Sequence, residues 1–140
     1  MRARGFTFVT FLVLAGVLAG AFWCLTYGAA YIERFEVSSI VREAANLCYR
    51  EPNDEKIQSF IVIKLNQAFS EEVMDHGRME RVLSFDFSPR DDLRIERSDS
   101  PREVNIWLTY RRNVTVPLVG QERQVEFTVH AYQDLSPVKW

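Results

Sequence analysis

Cysteine is nearly missing from this chain: its 140 residues hold two, Cys24 and Cys48. Their separation along a helix puts them out of disulfide reach, so no disulfide framework holds the fold. Cys48 has apolar neighbours and reads as a buried thiol rather than a link to a second copy. Histidine is as scarce. His76 and His130 are the only two, and neither stands at a metal-ligand spacing. No G-x-S-x-G, Walker, H-E-x-x-H or paired-cysteine pattern occurs, and Asp75-His76-Gly77 by itself is a weak cue. The groups that would fill the roles of an active site are therefore lacking, and neither enzyme activity, metal nor cofactor is expected. A basic excess is missing too. Beyond residue 32, fifteen basic residues face nineteen acidic ones, a formal charge of −4. That balance excludes the electrostatic footprint of a nucleic-acid binder.

The most informative absence is of charge between Arg4 and Glu33, a run of 28 residues. A helix needs about 20 apolar residues to cross a bilayer. A cleaved signal has an apolar region of only ~7–15 residues, so this run reads as a permanent single-pass span. Arg2 and Arg4 are the only charges before it, which places the N-terminus in the cytoplasm and the rest outside. Trp23, Tyr27 and Tyr31 are residues of a membrane interface. The expected organisation is a basic tail at 1–5, a span at 6–32 and an extracytoplasmic α+β domain at 33–140. No ionisable residue lies in the span, which argues against a proton relay or ion path through it. Gly16-Val17-Leu18-Ala19-Gly20 is a G-x-x-x-G in which Gly16, Ala19 and Gly20 let a second helix approach closely. The partners expected are the lipid bilayer and other membrane subunits docked on that face, with self-association also open.

The helix continues past the membrane. Val37, Ile40, Val41, Ala44, Leu47 and Cys48 recur at three- and four-residue steps, which predicts one long helix from Phe6 to Glu51, ended by Pro52. Asn53 can cap a second helix with Ile57, Phe60, Ile61, Leu65, Ala68 and Phe69 on one face, although Phe60-Ile61-Val62-Ile63 also fits a buried strand. Ser70 to Arg81 reads as a loop or frayed helix, and Leu83, Phe85 and Phe87 as a short strand ended by Pro89.

The clearest pattern is the alternation of Val104, Ile106, Leu108, Tyr110, Val114, Val116 and Leu118. A hairpin turn at Gly120-Gln121 would lead into Val125, Phe127, Val129 and Ala131. Pairing Val119 with Glu122 then sets Tyr110 opposite Ala131 and brings the two apolar faces together. Leu93 to Arg97 adds a strand, joined through Ser98-Asp99-Ser100-Pro101. The sum is an α+β fold of three to four antiparallel strands packed on an amphipathic stalk. On the outer face this register sets Trp107, Thr109 and Arg111 beside Asp134, Tyr132 and His130. Trp107, Arg111, His130 and Tyr132 have the composition of a partner surface. The alternative is that the second helix or a loop of the same chain covers that face. Arg112 falls on the core face, where it can snorkel past the sheet edge or meet a stalk carboxylate such as Glu43. Asn113-Val114-Thr115 is a glycosylation sequon inside a predicted strand.

Tyr31-Ile32-Glu33-Arg34-Phe35-Glu36-Val37, with Tyr110, Val114-Thr115-Val116-Pro117-Leu118-Val119-Gly120 and Val125-Glu126-Phe127, resembles a domain-of-unknown-function family of bacterial single-pass membrane proteins. The resemblance covers most of the chain apart from Ser70 to Arg90, which looks like an insertion. It implies a helix-then-sheet layout in the inner membrane and no chemistry. Arg4-Gly5-Phe6-Thr7-Phe8 and the long helix also resemble a type IV prepilin, cleaved after Gly5. The departure is Thr10, where pilins carry the glutamate thought to pair with a neighbour's N-terminus. Two readings result: a non-catalytic accessory subunit of a membrane complex, or a pilin-like subunit.

Overall fold

The computed structural model describes residues 4–137, with side chains from Thr7 onward. Arg2 lies outside the described residues, and of Arg4 and Gly5 only the backbone is described. Helix α1 (Arg4–Leu47) runs unbroken for 44 residues. It ends four residues short of Glu51, because the chain tightens into a turn ahead of Pro52. There the Arg50 N–H donates to Leu47 O at 3.0 Å and the Glu51 N–H to the same oxygen at 3.0 Å. A residue before proline is pushed out of the helical region, which dictates this early exit.

Helix α2 (Asp54–Phe69) starts where expected: the Asn53 side chain accepts a hydrogen bond from the Glu55 N–H at 2.9 Å. That bond satisfies one of the helix's orphan donors. The segment containing Phe60 to Ile63 is thus helix and not strand. Ile57, Ile61, Leu65 and Phe69 are buried at four-residue steps, Phe60 is half-buried, and Ala68 falls outside the expected face and is exposed.

Ser70 to Arg81 corrects the expectation of a loop or frayed helix. Strands β1 (Ser70–Asp75) and β2 (Arg78–Leu83) pair as a separate antiparallel hairpin. His76 and Gly77 make its two-residue turn with φ of 44° and 81°, the positive φ at both centres that a type I′ turn requires. Leu83 closes β2, and Phe85 and Phe87 lie not in a strand but in a bent segment bridged to the main sheet at Asp86–Arg111.

The main sheet has the order β3-β4-β5, with β3 (Leu93–Asp99), β4 (Arg102–Thr115) and β5 (Glu122–Asp134) all antiparallel. Its register differs from the expected one by four residues: Tyr110 pairs with Phe127, and Thr115 with Glu122. Proline has no N–H for a ladder, so Pro117 stops β4 before it reaches Gly120. Residues 116–121 instead form a longer loop, closed by Val116 N–H to Gln121 O at 2.9 Å and Gly120 N–H to Val116 O at 3.0 Å. An even slip keeps every side chain on its face, so the core face is the expected one although the partners change. Val116 and Leu118 leave the core: the first is half-buried, the second exposed.

One core joins these layers. Val37 and Val41 from α1, Ile57, Ile61 and Leu65 from α2, and Val104, Ile106, Leu108 and Tyr110 from β4 are all fully buried. Each such side chain contributes roughly 1.5–3 kcal/mol relative to exposure. A run of rings in contact, Tyr31–Phe127–Tyr110–Phe85–Phe69, ties the lower stalk to the base of the hairpin, with centroids 5.8, 5.5, 4.7 and 5.4 Å apart. At the upper end, the Arg97 guanidinium closes the joint between the two helices. It donates to Glu51 O at 3.0 Å and to Asp54 Oδ1 at 2.6 Å.

Candidate functional site

The helix changes character at Thr26. From Thr7 to Leu25 every residue of α1 is exposed, 19 residues in all, which at 1.5 Å per residue is ~28 Å. That length matches the ~30 Å hydrocarbon core of a bilayer. From Thr26 on, Thr26, Ala30, Glu33, Val37, Val41, Ala44 and Cys48 form a buried stripe against the sheet and α2. This one helix is long and apolar enough to cross a membrane. Sheet packing begins inside the expected 6–32 span, so the uncovered part is the shorter 7–25.

Gly16 and Gly20 lie on the bare part, and a Cβ added at either would meet nothing within 4 Å. With Ala19 beside them they leave a shallow face along the helix. Trp23, Tyr27 and Tyr31 continue that face upward at three- and four-residue steps. The Trp23 ring contacts those of Tyr27 and Tyr31 at 5.8 and 5.5 Å. On the far side of α1, Leu25, Ile32 and Phe35 stay exposed although the domain has begun to cover the other side.

At the foot of the sheet lies a feature that sequence reasoning placed only in part. Arg112 is on the core face, as its position in the alternation requires, but its guanidinium pairs with Glu33 and not with Glu43. Glu43 is instead paired with Lys64, 3.4 Å away. Glu33 belongs to the buried stripe of α1 and is 6% exposed. Its Oε1 has no hydrogen-bond partner among the described residues, and neither has the Tyr110 hydroxyl. Burial pushes the Tyr110 phenol up to about 12, with Arg34 opposing the rise.

The outer sheet face is not covered by α2, which packs against α1 and the hairpin. Arg94, Trp107 and His130 form one row across β3, β4 and β5. The guanidinium lies 5.7 Å from the indole centroid, and the imidazole stacks on the indole at 4.9 Å and 15°. His130 therefore stands beside Trp107 and not Arg111, with its Nε2 2.8 Å from Asn105 Oδ1. Arg111 is held by Glu126 at 3.0 Å and Asp92 at 3.4 Å, which ties down the guanidinium expected to face a partner. Tyr132 sits beside Asn105, 54% exposed. Of the four expected surface residues, Trp107 and His130 form a unit, and Arg111 and Tyr132 flank it.

Two exposed apolar features depart from the sequence expectation. The hairpin presents Val73, Met74, Met79 and Val82 to solvent, and the β4–β5 loop presents Leu118 and Val119. The signal for the second was Pro117-Leu118-Val119, an apolar stretch at a turn, where polar residues are the rule. A cleft of about 540 Å³ at the upper end is lined by Cys48, Arg50, Arg97, Asp99 and Arg102, but Arg97 there serves the helix joint. Burial pushes the Cys48 thiol up, with Arg97 opposing it. Among the described residues no three His, Cys, Asp or Glu side chains are grouped to hold a metal ion. Compared with protein-family models, with curated proteins and with solved structures, the chain matches none.

Proposed function

We propose that this chain is a non-catalytic accessory subunit of a bacterial inner-membrane complex. In this reading α1 crosses the bilayer with its N-terminus in the cytoplasm, and the α+β domain stands in the periplasm. The observation that carries it is the boundary at Thr26, where one continuous helix passes from 19 bare apolar residues to a stripe packed on a folded domain. A helix without a break transmits position and tilt between the two parts, which suits a subunit that positions others rather than one that performs chemistry. Three surfaces are open for docking: the Gly16/Ala19/Gly20 face in lipid, Ile32 and Phe35 on the far side of the stalk, and the Trp107/His130 row.

The glycine face gives the test. Replacing Gly16 and Gly20 with Ile fills a face that is open to a second helix while leaving the domain's own contacts untouched. The variant is expected to run as a smaller species than the wild type when membranes are solubilised in mild detergent and separated on a native gel. An unchanged complex size would remove the docking face.

The same layout supports a second reading. A bare N-terminal half and a packed C-terminal half of one long helix also describe a pilin-like subunit, as the resemblance at Arg4 to Phe8 suggests. A chain whose N-terminus is Phe6 would favour this alternative.

A further inference from the structure

We propose that the β4–β5 loop, residues 116–121, inserts its tip, Leu118 and Val119, into the outer leaflet of the bilayer that α1 crosses, so that the domain has a second anchor. The proposal rests on the reading of α1 as a membrane span. Two contacts fix the level of the strand against the helix. At the upper end Arg97, which pairs with Val104, reaches Cys48 O at 3.5 Å. At the lower end Arg112 pairs with Glu33. Between these levels β4 descends as α1 rises, so the two can be measured against each other. From Glu33 down to Thr26 is ~10 Å of helix, and from Arg112 down to Thr115 is ~10 Å of strand. Thr115 is therefore level with Thr26, where the bare helix begins, and the two line the same small cavity with Ala29 and Ala30. The loop continues downward from there. Three more residues carry Leu118 up to ~10 Å further, to the level of Gly20 to Trp23 on the bare helix.

The chemistry of the loop fits that depth. Residues 116–121, Val-Pro-Leu-Val-Gly-Gln, contain no charge, and Glu122 and Arg123 follow immediately above them. Leu118 is 93% and Val119 69% exposed. Leu118 also holds φ at 80°, a left-handed conformation that costs a bulky L-residue free energy. The side chain it presents touches almost no protein, so side-chain packing among the described residues does not offset that cost. A hydrocarbon environment would offset it, since lipid removes both side chains from water. An apolar tip at the level of bare apolar helix continues one lipid-facing surface, which distinguishes it from scattered exposed leucines.

The test places a nitroxide at Leu118→Cys in the full chain carrying Cys24→Ser and Cys48→Ala, reconstituted in phosphatidylcholine–phosphatidylglycerol vesicles. Leu18→Cys and Tyr132→Cys serve as lipid and water references, and Val119→Cys is the second probe of the loop. Collisions with oxygen and with a water-soluble nickel chelate are compared at each site. The expected result is that labels at 118 and 119 follow the Leu18 reference, oxygen-rich and nickel-poor. Labels at 118 and 119 that follow Tyr132, while Leu18 stays in lipid, overturn the loop anchor alone. Protection from both reagents at 118 and 119 also overturns it, since protein then covers the tip. Nickel access at Leu18 overturns the span and the loop together.

Discussion

Removing Arg112 should harm the fold far more than removing the carboxylate it pairs with, and the reason lies in where each charge is left. Glu33 has a side chain 6% exposed and one oxygen already without a partner, whereas the Arg112 side chain is 25% exposed. Arg112→Met leaves a buried carboxylate with nothing to meet it, and breaking a buried pair in that way costs about 3–5 kcal/mol. Glu33→Gln leaves a guanidinium whose long stem can turn the charge to water, so the loss is nearer that of a hydrogen bond to a charged group, about 1.5–3 kcal/mol. The double variant Glu33→Leu/Arg112→Met leaves neither charge, and replacing both by apolar groups should be close to neutral or stabilising. Urea unfolding of the full chain in detergent, followed by tryptophan fluorescence, measures all three. At a slope of about 2 kcal/mol per molar, the Arg112→Met midpoint should fall by about 2 M and the Glu33→Gln midpoint by about 1 M. Equal losses in the two single variants, or a double variant as weak as Arg112→Met, would refute the reasoning.

Other residues give independent checks. Tyr110 ionises at about 12 in the folded chain and at about 10 when unfolded, so its neutral form is favoured by burial. Its contribution is intact below pH 10 and is lost as pH rises from 10 through 12, by an amount on the order of 2–3 kcal/mol in urea titrations across that range. Tyr110→Phe should flatten this alkaline loss and, because the hydroxyl has no partner among the described residues, raise stability at pH 7 by about 1 kcal/mol. Asn53→Ala should cost about 1 kcal/mol of stability and Asn53→Asp almost nothing, since only the second keeps an acceptor for the Glu55 N–H. In a Cys24→Ser chain, Cys48 should react with an aromatic disulfide at pH 8 much more slowly than a free thiol, and urea should remove the difference.

The parts of the fold that were legible in the sequence are those that bury one face. The stalk stripe from Val37 to Cys48, the cap at Asn53 and the alternation of β4 each leave a periodic trace, because a core admits only certain positions. The β1–β2 hairpin left none. Both its faces meet solvent, so its strands do not alternate, and only the His76-Gly77 turn marked it. The sheet register failed for a different reason. A slip of four residues keeps Tyr110, Leu108, Phe127 and Val129 on the core face, so matching faces could not detect it, whereas Pro117 at the strand's end did carry the information. For Arg112 the alternation identified the wrong-sided charge. Its partner stayed hidden because Glu33 ends the apolar run and reads as a surface residue, although it sits at a core position of the helix. Trp107 and His130 were correctly placed on the outer face, but which of them touch depended on the register.

The proposed membership of this chain in a larger membrane assembly, held through its bare helix, is tested by mild-detergent extraction from native membranes with mass spectrometry of the intact assembly. Membrane-protein companions in fixed stoichiometry with this chain are expected, released together when Gly16 and Gly20 are both Ile. A chain recovered without companions, or one beginning at Phe6 and bound only to copies of itself, would contradict it.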